Sequence, residues 1–141
     1  MDQTNIKWIG GMKFEAVPPS GQSIVVDAYP ESGGEEAGPR PSELIAVALG
    51  TCTAMDVIGI LRKKRQDFTA YRLEVTYQWK EGDYPHPLEC AKVTHIVTGR
   101  NIDPNALKQA IELSDDKYCS VGATLRPKVE LTSDFRIEEA E

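Results

Sequence analysis

The chain has 141 residues, 40% of them hydrophobic and 27% charged, with a formal net charge of -6. That length suits one domain over residues 1–141 with a sizeable core, and the acidic balance argues against a nucleic-acid partner or an anionic membrane surface. Three cysteines do not suggest a disulfide framework, and the N-terminal MDQTNIKWIGG lacks the apolar segment of a signal peptide, so a cytoplasmic protein is expected.

In chain order, Ile6 to Val17 reads as a first strand interrupted by Gly10-Gly11, a turn or bulge, with Trp8, Met12 and Phe14 as apolar anchors. Pro18-Pro19-Ser20-Gly21 is a turn, and Ser23 to Ala28 a short second strand. Pro30 to Pro39 (PESGGEEAGP) is a loop with nothing to bury. Pro41 to Arg65 (PSELIAVALGTCTAMDVIGILRKKR) then predicts a long central helix. Pro41 suits the first turn, Glu43 the positive end of the helix dipole, and Arg62 to Arg65 the negative end. The middle is apolar nearly all round, which predicts a buried helix. Its apolar run looks too short and too interrupted for a membrane span.

Tyr71 to Lys80 alternates: Leu73, Val75, Tyr77 and Trp79 on one face, Glu74, Thr76, Gln78 and Lys80 on the other. Glu81 to Pro87 is a loop, and Leu88 to Thr98 returns as the antiparallel partner. Asp103 caps a second helix with Pro104 at its first position. Leu107, Ala110, Ile111 and Ser114 share a face, and the helix is expected to end near Lys117. Cys119 follows in KYCSVGATL. Lys128 to Glu138 alternates as a last strand. The order predicts an α+β fold with an antiparallel sheet.

Chemistry-bearing residues are few. Cys90 and His95, five apart on a strand, point to opposite faces, and His86 lies in a loop, so no metal site is expected. Neither a phosphate loop nor a GxSxG elbow is present. Cys52, in the middle of the central helix, reads on its own as a small core residue. Asp56, one turn on, would raise the pKa of a thiol beside it. Two packed helices can bring Cys52 and Cys119 within bonding reach only if their Cα atoms come within about 7 Å, which spacing leaves open.

PSELIAVALGTCTAMDVIGILRKKR followed downstream by LSDDKYCSVGATL resembles the OsmC/Ohr family, over roughly Gly38 to the C-terminus. The resemblance implies an intertwined α+β homodimer of OsmC-like fold, with two-cysteine sites at the dimer interface. It implies a thiol-dependent peroxidase acting on organic hydroperoxides or hydrogen peroxide. Cys52 would be the peroxidatic thiol and Cys119 the resolving one. No bound cofactor is implied; an external dithiol, lipoyl or another thiol, would reduce the disulfide. In the peroxidase branches a glutamate ten residues before the first cysteine pairs with an arginine from the N-terminal region. Here that position is Ser42; Glu43 stands nine before Cys52, and no arginine precedes Arg40. Nine steps of about 100° turn Glu43 to the opposite side of an ideal helix from Cys52, so the usual pair is missing, and Glu43 and Arg40 are candidate supporting residues only. The alternative is a non-catalytic dimer, sensing redox state or holding a small apolar ligand.

Overall fold

The computed structural model describes residues 1–141. They form two compact units, residues 1–45 and 46–141. The first is a small antiparallel sheet of β1 (Asn5–Trp8), β2 (Phe14–Val17) and β3 (Ile24–Val26), in that order. Gly10 and Gly11, both at positive φ, make the β1–β2 turn where one strand with a bulge was an alternative. Its apolar side chains remain open: Ile6, Trp8, Met12, Phe14 and Ile24 are exposed. Asp27 organises the loop after β3, its carboxylate accepting from the backbone N–H groups of Ala28, Glu35 and Ala37.

The second unit is built on α1 (Glu43–Lys63) and a sheet of β4 (Asp67–Trp79), β5 (Leu88–Arg100) and β6 (Glu130–Glu139). At the start of α1, Glu43 reaches back to accept from the Arg40 backbone N–H at 2.8 Å, a capping-box arrangement with Pro41 in the turn. It ends in a Schellman motif: Gln66 N–H bonds Leu61 C=O and Arg65 N–H bonds Arg62 C=O, with Arg65 left-handed. No glycine marks this stop, so the sequence reading ran two residues long.

One face of α1 is buried, through Leu49, Thr53, Val57 and Leu61. In the single chain the rest of the helix is not covered: Met55 is 74% and Val47 55% exposed. One correction concerns length. The 21 residues of α1, at mean hydropathy 2.1, are long and apolar enough to cross a membrane. Here that helix lies with its buried stripe packed against the chain's own sheet.

β4 and β5 form the expected long hairpin, with a bulge between Phe68 and Ala70. The bulge shifts the alternation, so that Phe68 joins Tyr71 on the core face. β6 pairs with β5 in parallel, not antiparallel, so the sheet is mixed. The crossover from β5 to β6 runs through α2 (Pro104–Leu113), a π turn (Ser114–Tyr118) and α3 (Ser120–Leu125), which lets the last strand enter in the same direction as β5. Asp103 caps α2 as expected, accepting from Asn105 N–H at 2.9 Å. The π turn ends α2 earlier than Lys117, and α3, absent from the sequence reading, follows Cys119.

Two apolar clusters hold this unit. Val57 and Leu61 of α1 meet Val97 of β5 and Leu107, Ala110 and Ile111 of α2. Leu49 meets Ala91 and Val93, with Val121 and Leu125 of α3 alongside. Thr53 lies between Leu49 and Val57 on the α1 stripe, and His95 between Val93 and Val97 on β5. These two buried polar residues therefore form a layer between the clusters.

Candidate functional site

The polar layer continues into a network. Ser114, fully buried at the end of α2, has its Oγ 2.9 Å from Thr53 Oγ1 and 2.8 Å from Asp56 Oδ2. A hydroxyl has one proton, so Ser114 donates to the carboxylate and accepts from Thr53. The Ser114 carbonyl accepts the Cys119 N–H at 2.9 Å, the bond that defines the π turn. One serine thus fastens Asp56 of α1 by its side chain and Cys119 by its backbone.

Cys119 is 4% exposed and caps α3, its Sγ accepting from Gly122 N–H at 3.2 Å. A Cβ on residue 122 would stand 3.3 Å from that sulfur, so glycine leaves the room the sulfur occupies. Burial pushes the Cys119 thiol up to about 11; the Gly122 N–H pulls it down, while the neighbouring Cys52 and the charge of Asp56 add to the rise. Cys52, half-buried in mid-α1, is thus a neighbour of Cys119, close enough to bear on its ionisation. Asp56 bears on Cys119, a partner on another element that one-turn spacing along α1 does not reveal.

Arg40 and Glu43 are placed with one another. The guanidinium lies over the Tyr29 ring, 2.8 Å from Glu36 and 3.7 Å from Glu43. Within residues 46–141 no arginine or lysine donates to either sulfur. Cys90 sits on the opposite sheet face from His95, in an open groove with Thr76, Gln78, Lys92, Glu130 and Thr132. His95 is no surface strand residue: it is fully buried with Nδ1 2.6 Å from Tyr71 Oη and Nε2 unpartnered. Burial lowers His95 to about 4 and holds the Tyr71 phenol well above its usual value, so the phenol donates to a neutral ring.

The sequence reading missed Ser114, Thr53 and the role of Asp56 in joining the two thiol-bearing segments. The signal was present: Ser114 interrupts the apolar stripe of α2, as Thr53 interrupts that of α1, and a polar residue inside a core stripe needs a partner.

The fold is α+β, and it sets Cys119 near Cys52 of a distant segment. The chain belongs to the OsmC-like protein family, whose model matches residues 33–134. It is 34% identical over 138 residues to Protein YhfA of Escherichia coli K12, covering 98% of this chain and 99% of that one. A crystal structure from Aquifex aeolicus is 27% identical, with TM-score 0.85 over 100% of this chain and 98% of that one. The organic hydroperoxide resistance protein OhrB of Bacillus subtilis shares the fold at 13% identity, with TM-score 0.62 over 96% and 98% of the two chains.

Proposed function

We propose that this protein is a thiol-dependent peroxidase for organic hydroperoxides or hydrogen peroxide. The Cys52 thiolate attacks the peroxide oxygen and becomes a sulfenic acid, releasing alcohol or water; Cys119 then displaces the hydroxyl and closes a disulfide. An external dithiol, lipoyl or another small thiol, reduces it. The observation that carries this reading is that the half-buried Cys52 lies near enough to the buried Cys119 to bear on its ionisation. A two-cysteine cycle needs one thiol open to substrate and a second close beside it. The name of the Bacillus subtilis protein of the same fold points to hydroperoxides. The working form is a cytoplasmic homodimer, supported by the exposed apolar side chains of β1, β2 and the outer face of α1.

The second reading, a redox-sensing or apolar-ligand-binding dimer, is favoured by one observation: no cation of residues 46–141 donates to either sulfur, and a fast thiolate is normally stabilised by one. Stopped-flow mixing of the reduced protein with cumene hydroperoxide, followed by thiol mapping, tests the proposal. The expected result is rapid oxidation to one Cys52–Cys119 disulfide per chain with Cys90 free. No reaction, or a bridge through Cys90, overturns it.

A further inference from the structure

We infer that Asp56 is the base of the resolving step, taking the Cys119 proton as that sulfur attacks Cys52 and passing it to the departing hydroxide. The inference rests on the two-cysteine reading above. The balance is closed by groups on the page. The S–S bond forms and the Cys52 S–O bond breaks, its electron pair leaving with oxygen. Cys119 sulfur is oxidised and the sulfenic sulfur reduced. The thiol proton travels by way of Asp56 to the hydroxide, which departs as water.

Four observations converge on this carboxyl. It stands one helical turn after Cys52 on α1, on the same side of the helix. Its charge bears on the Cys119 thiol. Ser114 holds Oδ2 at 2.8 Å and, through its own carbonyl, holds the Cys119 backbone. Asp56 also lines a shallow groove with Met55, Gly59, Ile60 and Tyr118, from which water can collect or return a proton. A thiol as buried as Cys119 is overwhelmingly protonated at neutral pH, so its attack needs a base within reach, directly or across one water.

The other titratable groups about the pair have different engagements. Asp115 accepts from Ser133, and Arg126 donates to the Asp115 carbonyl. Lys63 and Tyr118 flank the groove. From the sheet, His95 is held by Tyr71. Asp56 is the carboxyl tied to both thiol-bearing segments.

The test isolates the closing step from peroxide chemistry. Reduced protein carrying Cys90→Ser is mixed with the aryl disulfide dithiobis-nitrobenzoate. The first nitrothiophenolate is released when Cys52 forms a mixed disulfide, the second when Cys119 closes on it. Asp56→Asn is expected to slow the second release roughly 10-fold or more near neutral pH. The deficit should shrink as alkali ionises Cys119 unaided. Asp56→Glu should recover part of the rate. If Asp56 is only a neighbouring charge, its removal eases Cys119 ionisation and the second release becomes faster; an equal or faster release overturns the inference. Ser114→Ala keeps the carboxyl but frees it, and is expected to slow closure several-fold, which serves as the test if Asp56→Asn does not fold by circular dichroism. An Asp56-dependent closure in a protein that consumes no peroxide would sink the peroxidase reading and leave this one standing. Peroxide consumption with closure indifferent to Asp56 would do the reverse.

Discussion

The two segments that carry the thiols are built on opposite plans. α1 is 21 residues of unbroken helix with both ends capped and its buried stripe seated in both apolar clusters. Ser114 to Leu125 is a π turn, a cysteine cap and a six-residue helix. The regular element carries the half-buried sulfur and the irregular one the buried sulfur. Forming a disulfide requires the two free sulfurs to close to about 2 Å. Displacing α1 would disturb both clusters at once, whereas the segment around Cys119 meets only one of them, through Val121 and Leu125, and is otherwise held by the separate hydrogen bonds of Ser114, Asp115 and Cys119. The attack geometry is therefore fixed on the stiff side and the adjustment made on the soft side.

The sharpest way to break this division is to remove each thiol in turn. Cys52→Ser should abolish peroxide consumption, since a hydroxyl is no comparable nucleophile at neutral pH. Cys119→Ser should retain one turnover per chain, then stall, with excess peroxide driving Cys52 to the sulfinic state seen by mass spectrometry. Equal burst amplitudes in the two folded variants would erase the distinction.

Alkylation sharpens the same contrast without peroxide. With Cys119 pushed up to about 11, only on the order of one thiol in a thousand is ionised near pH 8. Iodoacetamide should therefore label Cys52 well before Cys119, and the Cys119 rate should climb steadily up to about its pKa. Cys119 labelled first in time-resolved peptide mapping would contradict the burial order.

A smaller effect probes the bed beneath α1. His95 is neutral and buried, with its pKa lowered from 6.5 to about 4. As pH falls below 6.5 the unfolded chain binds a proton that the folded chain refuses, so stability drops, and the loss levels off below about 4. It amounts to ~3 kcal/mol at full development. Denaturant unfolding at a series of pH values should show this slope, and His95→Phe should flatten it; a slope unchanged in that variant would assign the acid sensitivity elsewhere.

Much of the fold was legible because its signals are local. Asp103-Pro104 announces the start of α2, the alternation from Leu73 to Trp79 announces β4, and the apolar run from Leu44 to Leu61 announces α1. What escaped depends on what each element meets. The direction of β6 is decided by the path of α2 and α3, and its own alternation reads the same either way. α3 is six residues, SVGATL, short of any clear period. The left-handed Arg65 replaces the expected glycine stop. Of the site, the two cysteines came from family resemblance, and the structure supplied the serine that fastens Asp56 and Cys119 together. Arg40 and Glu43 were singled out separately as candidate supporting residues; the structure sets them against each other at the start of α1, with Arg40 also on Glu36 and Tyr29.

The parallel pairing of β5 with β6 has a consequence for how the protein is made. β5 supplies buried residues to both clusters, yet its second neighbour in the sheet arrives only after residues 101–129 have been synthesised. At ordinary translation speeds that interval lasts on the order of seconds. Throughout it, a nascent chain with β4 and β5 already outside the ribosome offers an unpaired, apolar strand edge to any other chain nearby. The crossover that gives the sheet its mixed character also gives this protein a window during its birth in which that edge is open to pairing with another chain.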